Sequence, residues 1–319
     1  MSLMKHTAST MLALAILFTP ACLKTSSQMK FAAPDDAAKA LLQAIETDNK
    51  QSLEAIFGAK AVQAVSSGDA VSDRNDRETV ALAMKQSVRW APRGDDGKEL
   101  IVGDEQWPFP VPLVKDGDQW RFDSEAGIQE VVARRIGRNE LSVIDLCRAY
   151  VEVQNEYAMQ PRDGKPAGLF AQRIRSTPGH QDGLYWQVPL RGRPSPLGDL
   201  VAEAAAEGYE ANKTAATPFW GYYFRVLTAQ GPDARGGKKS YLVNGDMSGG
   251  FAMVAYPAKY GSSGVMTFIV NREGNIYERD FGDDTAAQGS KMTEYNPDTT
   301  WAPVQNALPT GALIPKLKE

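Results

Sequence analysis

The chain has 319 residues, 43% of them hydrophobic and 23% charged, with a formal net charge of −4 at pH 7. That length exceeds what one hydrophobic core ordinarily serves, so two domains of a globular protein are expected. The mild acidity offers no global attraction to nucleic acid or to anionic lipid, and the short basic clusters at Arg134, Arg135 and Arg138 and at 235–239 read as a solvated helix face and a loop.

Lys5 and His6 precede an apolar run at 11–18 that ends in Thr19-Pro20-Ala21. A basic start, a short apolar segment and a small-residue site make residues 1–21 a secretory signal, and the run is too short to span a bilayer. The expected location is therefore periplasmic or extracellular. Thr19-Pro20-Ala21-Cys22 also resembles the lipobox of bacterial lipoproteins, although Thr19 stands where Leu is usual. Acylation of Cys22 and conventional cleavage near Ala21 both fit, and a lipid on Cys22 would be the chain's contact with a membrane. Residues 22–33 read as a flexible polar leader.

Residues 34–137 are expected to form an α+β domain. Pro34-Asp35-Asp36 opens a helix with Ala37, Leu41, Ala44 and Ile45 on one face. A short helix carries Leu53, Ile56 and Phe57 and stops near Gly58. A third follows Asp73, with Val80, Met84 and Val88 on its buried side. Strands are predicted at 98–102, 107–114 and 119–122. Pro108, Pro110 and Pro112 lack the N–H of a central strand, which places the middle run at an edge or a bulge. Helices followed by a curled antiparallel sheet resemble the cone-shaped NTF2-like domains.

Asp123-Ser124 caps a helix running to about Ile136, Gly137 permits a break, and helix resumes over 139–158. Its apolar stripe is Val143, Leu146, Tyr150, Val153 and Tyr157. Residues 161–196 read as a long irregular excursion with short strands near 169–174, and 197–209 as a short helix. Across 218–282 the period-two alternation of aromatic and β-branched residues predicts an antiparallel meander, with Asn271 to Asn275 as a hairpin turn. The long helix should lie on one face of that meander, making residues 138–292 the second domain and 293–319 a poorly ordered tail.

The reactive side chains do not assemble into a familiar motif. Ser176, His180 and Asp182 are too close in sequence for ordinary triad geometry, and no G-x-S-x-G elbow occurs. With His180 and Cys147 as the only such residues after Cys22, a zinc site of the usual ligands is not expected. Asp95, Asp96, Asp104 and Glu105, Asp116 and Asp118, and Asp280, Asp283 and Asp284 sit in Gly-rich loops but lack the EF-hand order. Cys147, mid-helix, reads as a core residue without thiolate activation. The pairs Gly236-Gly237 and Gly249-Gly250 lack the Lys-Ser/Thr of a P-loop, so no cofactor is implied. Trp107, Trp120, Trp186, Trp220, Tyr222, Tyr256 and Tyr260 are the candidate binding surface, for peptide or glycan, against the alternative that they pack in the cores.

Several stretches, WPFPVPLVKDGDQWRFDSEAG, RRIGRNELSVID, YVEVQNEYA, GYYFRVLTAQGP and GGFAMVAYPAKYGSSGVMTFIVN, resemble the bacterial domain-of-unknown-function family 2950. The resemblance implies export and carries no catalytic residues. The second half is also similar, in pattern, to the soluble domains of pilins and pseudopilins, with Leu146 to Tyr150 and Gln154 to Tyr157 in the helix and the meander as the sheet; the apolar pilin stem is missing. The resulting expectation is a non-enzymatic envelope protein acting through envelope proteins or cell-wall glycan. The alternative is a carboxylate-dependent hydrolase of envelope polysaccharide, which would need two acids converging in a cleft.

Overall fold

The computed structural model describes residues 28–186, 195–198 and 218–305. The export segment, Cys22, most of the helix expected at 197–209 and the tail past 305 lie outside the described residues. The architecture is α+β: helices and an antiparallel sheet first, then a long helix against a second antiparallel sheet.

The first unit begins with α1 (Pro34–Glu46), α2 (Lys50–Phe57), α3 (Ala59–Ala64) and α4 (Ala70–Gln86). Pro34 and two acids start α1, whose Ala37, Leu41 and Ala44 are buried. Asn49 caps α2 by accepting from Ser52 N at 3.0 Å, and Gly58, at φ 87°, turns the chain directly into α3. The third expected helix starts earlier than predicted. Asp69, not Asp73, is its cap, accepting from Val71 N and Ser72 N at 3.1 Å.

Val88 also departs from expectation, being 37% exposed and the first residue of a strand. Strand β1 (Val88–Arg93) pairs along its whole length with β2 (Gly97–Val102), and that pairing overrides the helical spacing from Met84. On its other side β2 meets β3 (Trp107–Pro108) at Ile101 and Val102, and β4 (Leu113–Asp116) at Gly97 and Lys98. The proline-rich run between them leaves the ladder, as residues without N–H donors must. β5 (Gln119–Phe122) completes the sheet. The leader is not free where it is described: Phe31 exchanges two backbone bonds of 2.8 Å with Trp120 and is buried. Its ring meets Phe122, which explains why an apparently polar stretch docks.

α5 (Ser124–Ala158) runs unbroken for 35 residues, roughly 50 Å at ~1.5 Å per residue. The break expected at Gly137 is absent. A mid-helix glycine costs about 1 kcal/mol, but the next three residues are each tied to neighbouring elements. Arg138 grips Asp76 at 2.6 and 2.8 Å, Asn139 Nδ2 donates to Ser263 O at 2.8 Å, and Glu140 accepts from Val265 N and Met266 N at 2.9 Å.

The second sheet contains β6 (Tyr222–Leu227), β11 (Ala252–Pro257), β12 (Met266–Asn271), β13 (Ile276–Asp280) and β15 (Ala302–Pro303), in the order β15-β13-β12-β11-β6. Short strands β7 (Ala229–Gln230), β8 (Lys239–Ser240), β9 (Leu242–Val243), β10 (Asp246–Met247) and β14 (Glu294–Tyr295), with α6 (Thr285–Lys291), wrap it. Val143, Tyr150, Val153 and Tyr157 of the expected stripe are buried in the second core, but Leu146 is only half-buried and Cys147 takes its place; Tyr150 stands edge-on to Phe251 and donates to Ala252 O at 3.2 Å. In the excursion after α5 the expected strands reduce to bridges at Phe170 and Arg175, and Gln154 clamps Ala171 through two bonds of 2.9 Å. Up to residue 305 the supposed tail is structural. β14 pairs with β7, β15 pairs with β13, and Tyr295 and Trp301 are buried. Among the described residues, no helix is long and apolar enough to cross a membrane.

Candidate functional site

Between α2, α3, α4 and α5 the packing leaves a groove of about 840 Å³. That lies inside the range of roughly 300–1,000 Å³ usual for small-molecule sites. Leu53 and Phe57 of α2, Val62 of α3, Val80 of α4, Phe109 and Val131 give it aliphatic and aromatic walls. Phe57 and Phe109 stack with centroids 6.5 Å apart, so part of the wall is the edge of the first core. α5 contributes Arg134, Arg135 and Arg138 to the same groove, and α4 contributes Asp73 and Asp76.

Each of these arginines is held differently. Arg134 donates to Glu130 and to Pro108 O, both at 2.7 Å, and its guanidinium lies 5.2 Å from the Trp107 ring. Arg138 makes the two-pronged pair with Asp76. Arg135 is 7% exposed and uses only Nη2, toward Val65 O and toward Asp73 at 3.6 Å. Its Nε and Nη1 are closed to solvent and have no hydrogen-bond partner among the described residues. Burial pulls its pKa below the usual arginine value, opposed by Asp73 and Asp76. A guanidinium nonetheless stays charged.

The same α3–α4 connection joins the two units. Ser262 Oγ donates to Ser66 O at 3.1 Å, and Gly221 N donates to Asp69 at 3.3 Å. The N–H of Ser67 donates to Asp73, which also accepts from Ser66 Oγ at 3.2 Å. Residues 65–69 thus bear on the groove and on the second sheet together.

The seven aromatics singled out in the sequence do not compose one surface. Trp107 is buried at the groove, while Trp120 belongs to β5, with Lys98 and Lys115 beside its ring. Tyr222 lies under α5 and donates to Met266 O at 2.9 Å. Tyr256 pairs directly with Tyr223, ring centroids 5.6 Å apart, on the face of the sheet opposite to that of Tyr222. Trp186 packs 4.9 Å from Arg162, Trp220 stands near Phe219, and Tyr260 donates to Asp280 at 3.3 Å.

Ser176, His180 and Asp182 also serve separate ends. Ser176 Oγ accepts from Gly183 N at 2.9 Å, and exposed His180 lies 3.5 Å from Asp163. Asp182 accepts from Thr177 N and Oγ1 at 2.7 and 2.8 Å; partial burial would raise its carboxyl, but these bonds outweigh it and hold it below the usual range. Among the acidic loops, Asp116 pairs with Lys30 at 2.9 Å and Asp280 accepts from Gly282 N at 2.7 Å. No three His, Cys, Asp or Glu side chains converge among the described residues.

A family model matches residues 28–304. The chain belongs to that family, described as a protein of unknown function (DUF2950). No curated protein and no solved structure gives a match, and the similarity to pilins expected from the sequence is not shown. The DUF2950 match covers both units and the groove between α2 and α5.

Sequence reasoning passed over the arginines because a short basic cluster on a helix ordinarily faces water. The signal was present. Stepping back by four from Val143 along the buried stripe reaches Asn139 and then Arg135, both buried.

Proposed function

We propose that this DUF2950 chain is an exported, non-enzymatic binding protein whose first unit takes up an apolar small molecule. Export rests on residues 1–21. The observation that supports binding is the groove: a cavity of about 840 Å³ whose walls include the aliphatic and aromatic side chains of Leu53, Phe57, Val62, Val80, Phe109 and Val131. Apolar surface in such a concavity is the usual substrate of ligand capture. Of the four carboxylates that line it, Asp73 and Asp76 are turned toward arginines of α5, Asp48 pairs with Arg77 and Glu54 with Lys50, which suits fixed polar ends rather than a pair of acids flanking a scissile bond.

Titration with the uncharged fluorophore N-phenyl-1-naphthylamine tests this reading. Emission should rise saturably, and Val62→Trp, which places an indole in the groove, should abolish the rise while leaving the far-ultraviolet circular dichroism unchanged. Non-saturating emission, or a folded Val62→Trp protein that binds as before, would overturn the proposal.

A further inference from the structure

We infer that the molecule held in this groove is a single-chain amphiphile with an anionic head, and that Arg135 receives the head. The inference rests on the binding reading above and adds the chemistry of the ligand's polar end. Arg135 carries five N–H donors. Nη2 serves Val65 O and Asp73, whereas the Nε–H and both Nη1–H groups meet no acceptor among the described residues. Burying a charged donor without partners is among the more costly things a fold can do. The pairing with Asp73 is loose, at 3.6 Å, and Asp76 is already gripped by Arg138 at 2.6 and 2.8 Å.

An oxyanion is the acceptor these donors lack. A hydroxyl would occupy one N–H and leave the positive charge desolvated, and a cationic head offers these donors no acceptor. Leu53, Phe57, Val62, Val80, Phe109 and Val131 form the apolar part of the walls, and this part takes the remainder of the ligand as a hydrocarbon chain. Because Nε and Nη1 are closed to solvent, the head enters as the connection after α3, which holds Nη2 through Val65 O, gives way. Carboxylate and phosphate monoester heads share the required chemistry.

Displacement of bound N-phenyl-1-naphthylamine by decanoate, decyl phosphate, decanol and decyltrimethylammonium separates the terms. At least one anion should displace the probe at concentrations about tenfold or more below decanol, the range expected for charge-assisted hydrogen bonds. The stronger anion identifies the head as a fatty-acid carboxylate or a phosphate ester. Arg135→Lys, which keeps a cation opposite Asp73 but removes the Nε–H and the planar fork, should shrink that preference, and Arg148→Gln, farther along α5 and outside the groove, should not. Equal displacement by decanol and the anions overturns this inference while leaving the groove reading standing. Loss of the preference in Arg134→Gln but not in Arg135→Lys overturns the assignment to Arg135. If Arg135→Lys does not fold, the wild-type order of the four competitors still decides. Probe binding seen only at dilutions where self-association is lost would give the groove to a second copy of the chain, and would likewise overturn the inference.

Discussion

Cys147 and Arg135 both lie buried on α5, just over three helical turns apart, and show how burial treats a neutral and a charged group. Cys147 is fully enclosed among Val143, Tyr150 and the second sheet, and burial pushes its thiol from 9.0 up to about 12. The folded chain therefore keeps the proton after the unfolded chain has lost it. Its contribution to stability is level below about pH 9 and declines as pH rises toward 12. In a Cys22→Ser chain at pH 8 the native Cys147 thiol should not react with Ellman's reagent, and one equivalent should react after denaturation; rapid native reaction would place the thiol at the surface. Cys147 was legible in the sequence, because an apolar neighbourhood and helical spacing suffice to bury a small thiol. Arg135 was not: its burial depends on α3 and α4 arriving from elsewhere to cover it, and local pattern favours solvent for any arginine.

At the scale of elements, the meander was the part most fully written in the sequence. Its alternating residues and the turn at Gly274, φ 77°, determine register locally. What escaped were elements defined by distant partners: β1, fixed by β2; the two-residue strands β14 and β15; and the continuity of α5 through Gly137. The loop between β11 and β12 shows how tightly the sheet meets the helix. A Cβ on Gly264 would stand 2.0 Å from the Tyr222 hydroxyl oxygen and 2.5 Å from Cζ. Tyr222 is fully buried and bonded to Met266 O, so the ring has nowhere to go. Gly264→Ala should cost about 1–3 kcal/mol, the usual range for overpacking, read as a lowered urea midpoint with unchanged slope. An unaltered midpoint would mean that the strand connection yields freely.

For the whole molecule, α5 is the shared member: its first turns close the groove and its later turns carry the second core. The polar contacts of Arg135, Arg138 and Asn139, with residues 65–69, sit where the two regions meet. The groove itself was not legible in the sequence, since its walls come from five helices and a proline-rich loop, whose apolar side chains look like ordinary core residues. The central claim, that this groove holds an acyl chain with its anionic end at Arg135, is tested most directly by photo-crosslinking. A decanoate analogue with a diazirine on the chain would be irradiated with the full-length protein and the adducts mapped by mass spectrometry. The account predicts adducts within residues 53–65 and 131–138, suppressed by excess decanoate or decyl phosphate. Adducts confined to the second sheet or to residues 157–186, or labelling of the groove that neither anion suppresses, would contradict it.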